Sequence, residues 1–317
     1  MARRYLRKEN VKAFVPSTQS RIELSRNYHN QGLVCKLEVN HTNATAVFKS
    51  EGLANLINSI QIVANGNKNI KHVDVKKLMF NQLMHMGAHN ALNTLNTANG
   101  TFTSTLFFTV DFSMRGMSRP ADTIENTALY TTFDMLIDWG AAANLGTGIT
   151  VNSANLTVSS EQLVGYQRNA GERIAHNIEL QLTKDVSASA AEFQIDLPTK
   201  MIYTGLTILS TVDGIRNSSV ITSAKLKSGT TVFAEWDADT LRSDNADKGC
   251  IRTPSDIVGL LYLDLVQRGK LSDALDTRTQ FNTLELILSV TKQTGVNTIT
   301  VYSDIIDIED IVEVKGA

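Results

Sequence analysis

Phe107-Phe-Thr-Val-Asp-Phe-Ser-Met-Arg-Gly116 and Leu260-Leu-Tyr-Leu-Asp-Leu-Val-Gln-Arg-Gly269 are two apolar, strand-like runs with the same polar punctuation. Asp111 and Asp264 are each followed, at matching spacing, by Arg115 and Arg268 and then by a glycine. Strands share a short alphabet of Val, Ile, Leu and Thr, but hydrophobic alternation does not place an Asp, an Arg and a Gly at equal offsets. The match extends in both directions. Leu33-Val-Cys-Lys-Leu-Glu-Val39 answers to Ile174-Ala-His-Asn-Ile-Glu-Leu180, with Glu38 and Glu179 in the same place. Ile57-Asn-Ser-Ile-Gln-Ile62, running into Asn65-Gly66, answers to Ile221-Thr-Ser-Ala-Lys-Leu226, running into Ser228-Gly229. Asp74 and Leu78 answer to Asp237 and Leu241. Further on, Tyr130-Thr-Thr-Phe-Asp-Met-Leu-Ile137 pairs with Phe281-Asn-Thr-Leu-Glu-Leu-Ile-Leu288, and Ile149-Thr-Val-Asn-Ser153 with Ile299-Thr-Val-Tyr-Ser303.

A co-linear repeat of this kind means two copies of one module. Each copy holds roughly seven or eight strand-like runs separated by Gly, Asn, Asp and Ser, the count of a β-sandwich or jelly roll. The expected fold is all-β: two tandem jelly-roll modules in one chain, with short helices in loops. Asp74 is expected to cap a helix whose apolar side includes Leu78, Met79, Leu83 and Met86, and Asp237 to start a shorter, more polar equivalent. The expected division is 1–27 as an N-terminal basic arm, 28–164 as the first jelly roll, 165–172 as a linker and 173–317 as the second jelly roll. The arm sets Arg3, Arg4, Arg7, Lys8 and Lys12 against the single acid Glu9, with Tyr5, Leu6, Val11, Phe14 and Val15 between them. It has no evident counterpart in the second copy, so deleting residues 1–15 is expected to leave the protein folded.

With 317 residues and 42% hydrophobic content, the chain can bury a core in each module. Thirty basic against 32 acidic residues leave a formal charge of −2, without the excess of a dedicated nucleic-acid binder. Cys35 and Cys250 lie beside apolar residues, which favours buried, reduced thiols and synthesis in a reducing cytoplasm. The basic N-terminus lacks the apolar stretch of a signal peptide, and no apolar run is long enough to span a membrane.

Signals of chemistry are weak. His85 and His89 have the spacing of a helical metal pair, but no Glu lies between them and Gly87 interrupts the helix. Gly146-Thr-Gly148 lacks the following helix start and Lys of a phosphate loop and reads as a hairpin turn. Acidic clusters at Asp237 to Asp247 and Asp304 to Asp310 could take a structural Ca²⁺, although their spacing fits no EF-hand. Asp111 with Arg115 and Asp264 with Arg268 recur in both copies, which suits a structural brace better than an active site. No cofactor and no enzymatic activity are expected.

Two tandem jelly-roll-like copies in a chain of this length resemble the double jelly-roll major capsid proteins of icosahedral viruses, from about residue 30 to the C-terminus. The compact length is most similar to coat proteins of internal-membrane bacteriophages of the corticovirus or finnlakevirus type. The resemblance implies a homotrimer that forms a pseudo-hexagonal block and tiles a virion shell beside penton and minor capsid proteins. It also implies an inner-face N-terminus, with Arg3, Arg4, Arg7, Lys8 and Lys12 facing an internal viral membrane or the genome. The alternatives are a duplicated carbohydrate-binding sandwich and a phage tail or spike component.

Overall fold

Strand β3 (His29–Phe48) shows how the sequence builds its core. Leu33, Cys35, Leu37 and Val39 are fully buried, while Lys36 and Glu38 between them face outward as a solvated ion pair. That is the period of two expected of a strand with one wet face. In the computed structural model, which describes residues 3–49, 51–86, 95–114, 123–166, 174–248, 257–266, 273–279 and 281–309, the chain divides into two compact units. The first comprises residues 1–79, 90–178 and 306–317, and the second residues 80–89 and 179–305.

The first unit contains β1 (Arg3–Ala13), β2 (Gln19–Glu23), β3, β4 (Ile57–Ala64), β5 (Lys68–Val73), β6 (Gly100–Asp111), the short β7 (Glu125–Asn126), β8 (Phe133–Trp139) and β9 (Gly146–Val164). Its first sheet has the order β1-β9-β3-β6, with β7 also on β3, and its second the order β5-β4-β8-β2. Register sets the core layers. Leu37 stands opposite Leu106 and Leu156, and Cys35 opposite Phe108 and Val158. In the second sheet Ile60 faces Ile137 and Ile62 faces Met135. All of these side chains are buried.

The second unit contains most of β10 (Ile174–Asp185), with β11 (Ala190–Leu197), β12 (Ile202–Val212), β13 (Ile215–Arg216), β14 (Ile221–Ser228), β15 (Thr231–Asp237), β16 (Leu260–Asp264), β17 (Leu275–Asp276), β18 (Leu284–Val290) and most of β19 (Asn297–Glu309). Here the orders are β13-β12-β19-β10, with β16 and β17 also on β12, and β11-β18-β14-β15. Leu226 and Ala224 of β14 oppose Leu286 and Leu288 of β18.

Set side by side, β1-β9-β3-β6 in the first unit corresponds to β10-β19-β12-β16 in the second, and β2-β8-β4-β5 to β11-β18-β14-β15. Two four-stranded sheets of this kind make the eight-stranded jelly roll expected from the repeat. The helices also correspond. Asp74 Oδ1 accepts the Lys77 amide at 2.8 Å at the start of α1 (Val75–Met86). Asp237 accepts the Thr240 amide at 2.8 Å and its hydroxyl at 3.0 Å at the start of α2 (Ala238–Lys248). These are side-chain N-caps.

Three sequence expectations are corrected. The counterpart of β3 is β12, not the run that begins at Ile174: β3 pairs with β9 and β6 and β12 with β19 and β16, and each also takes a two-residue strand, β7 or β17. The N-terminal segment does have a counterpart. β1 pairs with β9 along its whole length, from Arg3 opposite Val164 to Ala13 opposite Asn155, so it is a strand of the module rather than an appended arm. Deleting residues 1–15 would strip that strand and Phe14, whose ring meets Trp139 edge-on at 5.5 Å. Finally, Gly146-Thr-Gly148 begins β9 instead of forming a hairpin turn. A Cβ at Gly146 would lie 2.0 Å from the Val47 carbonyl oxygen, so glycine permits close approach of the two backbones. Most of the expected linker lies outside the described residues.

Candidate assembly surface

Among the described residues β1 is an end strand, so one side of its backbone has no partner there in its own sheet. Its cations differ in use. Arg4 grips Glu161 through two contacts, Nε to Oε1 at 2.7 Å and Nη2 to Oε2 at 2.8 Å. Arg7 donates to Ser25 Oγ at 3.0 Å and lies 3.9 Å from Glu9. Glu9 turns inward, accepting the Ser160 hydroxyl and, at 3.2 Å, the Ser25 amide. Arg3, Lys8 and Lys12 make no ion pair among the described residues. Tyr5 and Leu6 are more than half exposed, and Val11 and Val15 are also exposed. The edge thus combines three uncompensated cations with apolar side chains, while charge on an edge also opposes uncontrolled strand addition. On the other sheet of this unit, Arg21 of end strand β2 makes a two-point pair with Asp134 at 2.9 and 2.8 Å. The bonded carboxylate raises the guanidinium's pKa further.

The repeated aspartates close equivalent strands. Asp111 ends β6 opposite Gly32, and Asp264 ends β16 opposite Gly205. A Cβ at Gly32 would lie 2.8 Å from the Val110 carbonyl oxygen and 3.1 Å from Asp111 Oδ1. A Cβ at Gly205 would lie 2.8 Å from the Tyr262 hydroxyl. Asp264 Oδ1 accepts the Val266 amide at 2.9 Å, an Asx turn that stops the strand. Arg115 and Arg268 lie outside the described residues, so the expected brace is represented only by its aspartates. The glycines opposite them are the part that the sequence comparison missed.

A second missed group is buried in the first unit. His176 Nδ1 lies 2.8 Å from Glu125 Oε1, and the Tyr130 hydroxyl donates to Glu125 Oε2 at 2.6 Å. Lys68 Nζ lies 3.1 Å from His176 Nε2. These residues come from three separate segments, Lys68 from one, Glu125 and Tyr130 from another and His176 from the third, and no local motif joins them.

His89 and the side chain of His85 lie outside the described residues, as do Cys250 and Asp310. Among the described residues no group of three or more His, Cys, Asp or Glu is placed to hold a metal ion. Asp237 is engaged in its cap, which pulls its pKa down, and Asp239 pairs with Arg242. No described helix is long and apolar enough to cross a membrane.

No protein-family model and no curated protein sequence matches the chain. Solved structures do. The major capsid protein of Sulfolobus Turreted Icosahedral Virus superposes with a TM-score of 0.73 at 18% identity, covering 96% of each chain. The major capsid protein of bacteriophage PM2 gives 0.61 at 12% identity, covering 96% of this chain and 98% of that one. A chain of the PBCV-1 virus capsid gives 0.68 at 10% identity, with 97% and 94% coverage. The agreement runs through both jelly rolls, so in fold the chain is a double jelly roll of the kind found in these viral capsid proteins.

Proposed function

We propose that the chain is a structural subunit of an icosahedral viral capsid, acting by self-assembly and not by catalysis. The supporting observation is the duplicated eight-stranded topology, matched over 96% of both chains by a viral major capsid protein. Three copies would present six similar jelly rolls. Six near-equivalent units suit six-fold lattice positions, while sequence differences between the halves let neighbouring contacts differ. In this reading the protein is made in the host cytoplasm, enters the virion beside penton and minor capsid proteins, and turns the β1 edge towards an internal membrane or the genome. Arg3, Lys8 and Lys12 would meet anionic groups there, with Tyr5, Leu6 and Val11 entering the interface.

Sedimentation and electron microscopy of the purified protein test the proposal. Trimers that assemble into hexagonal plates or closed shells are expected. A monomer at every concentration and ionic strength would overturn it, and tubes or fibres would favour a tail component.

A further inference from the structure

We propose that Lys68, His176, Glu125 and Tyr130 form an acid-sensitive latch in the first unit, closed while the His176 imidazole is neutral and opened by its second proton. The inference rests on the buried geometry and is independent of the capsid reading.

Hydrogen-bond chemistry fixes the closed state. An ammonium only donates, so Lys68 Nζ, 3.1 Å away, requires His176 Nε2 to accept. The ring proton then sits on Nδ1 and is donated to Glu125 Oε1 at 2.8 Å. The second carboxylate oxygen accepts the Tyr130 hydroxyl at 2.6 Å. The order is cation, neutral ring, carboxylate, phenol, with a donor facing an acceptor at each step and no net charge across the four. His176 and Glu125 are almost completely buried. β5 contributes Lys68, β7 contributes Glu125, the segment before β8 contributes Tyr130, and Arg26 adds a further cation by donating to the Tyr130 carbonyl oxygen at 2.9 Å.

Acid inverts one link. A proton on Nε2 converts the acceptor into a donor aimed at an ammonium 3.1 Å away. The imidazolium keeps its bond to Glu125, so Lys68, half-buried and on a flexible stem, is the group that leaves. Lys68 is the first residue of β5, and its departure releases the turn end of the β4–β5 hairpin.

The test uses full-length protein carrying ¹⁵N-histidine, with the His176 resonance assigned by His176→Asn, and hydrogen exchange of the β5 peptide from pH 8 to 5. The neutral ring with hydrogen on Nδ1 is expected at pH 8. As the second proton enters, exchange in β5, corrected for its intrinsic pH dependence, should quicken by roughly tenfold, the equivalent of one pH unit of coupling. Lys68→Gln, which keeps a donor without the charge, should take the second proton at higher pH and lose the acceleration, and Lys68→Met should do the same. A ring protonated on Nε2 alone at pH 8, or variants that titrate and exchange like the wild type, would overturn the latch.

Discussion

Gly32 sits directly opposite Asp111 across the β3–β6 ladder, with no room between them for a methyl group. Gly205 stands opposite Asp264 across β12 and β16, but there the Tyr262 side chain fills the space beside it. Gly32→Ala is therefore expected to cost about 1–3 kcal/mol through forced displacement of neighbouring backbone. Gly205→Ala should cost less, because what the methyl meets is a side chain, the hydroxyl and ring edge of Tyr262, rather than backbone. Denaturant titration of the two variants checks the order. Equal stability of Gly32→Ala and wild type would disprove the close approach.

Leu37 lies in register with Leu106 on one side and Leu156 on the other. Truncation to alanine leaves a cavity between three strands. A loss of about 2–5 kcal/mol is expected, visible as a lower midpoint of thermal or urea unfolding.

Asp237 caps α2, and its hydrogen bond from the Thr240 amide holds its pKa below the usual carboxylate range. A depressed acid contributes stability above its unfolded value, about 3.9, and loses that contribution as pH falls through the lower folded value. Protection of the Thr240 amide from hydrogen exchange should therefore fall off in strong acid. In Asp237→Asn, which still caps but does not titrate, that acid dependence should vanish.

Cys35 is fully buried and makes no disulfide. Burial pushes its thiol well above the usual cysteine range, so the reactive thiolate is scarce. Peptide mapping after iodoacetamide treatment should show Cys35 unmodified in the native protein and modified in urea. Rapid native labelling would contradict the β3 register.

The β1 cations suggest a fifth comparison. Arg3→Gln, Lys8→Gln and Lys12→Gln remove charges that pair with no described residue, each contributing about 1 kcal/mol near an anionic lipid surface. Vesicle co-sedimentation at low salt should weaken stepwise while unfolding midpoints stay nearly unchanged. Arg4→Gln should instead lower stability, because it removes the two-point ion pair with the buried Glu161. Binding indifferent to all three changes would remove the membrane role of this edge.

Much of the fold was legible because punctuation survived where hydrophobic identity did not. The aspartates ending β6 and β16, the caps Asp74 and Asp237, and the runs that became β4 and β14, β8 and β18, and β9 and β19 all fall at corresponding places. The misassigned strand has a physical cause. β12 is buried on both faces through Ser210, so it lacks the alternation of β3. The run at Ile174 alternates and therefore resembles β3, but what defines a strand's place is its partners, set by contacts far apart in sequence. The same distance hid the Lys68–His176–Glu125–Tyr130 group and the glycines opposite the aspartates. The basic segment read as a tail because one period of alternation cannot distinguish a solvated edge strand from an unpaired one.

The pairing of Arg3 with Val164 also bears on how the protein is made. β1 leaves the ribosome ahead of β2 to β9, and its partner β9 is the last strand of the first jelly roll to be synthesised. At about 5–20 residues per second, β1 waits roughly 10–30 s with its ladder unsatisfied while β2 to β8 accumulate. A strand in that position is open to pairing with a neighbouring nascent chain, the more so when many copies are translated from one message. Five cations within Arg3 to Lys12 make two such strands repel each other, so the charge that marks this edge in the finished protein also guards the chain while it is being born.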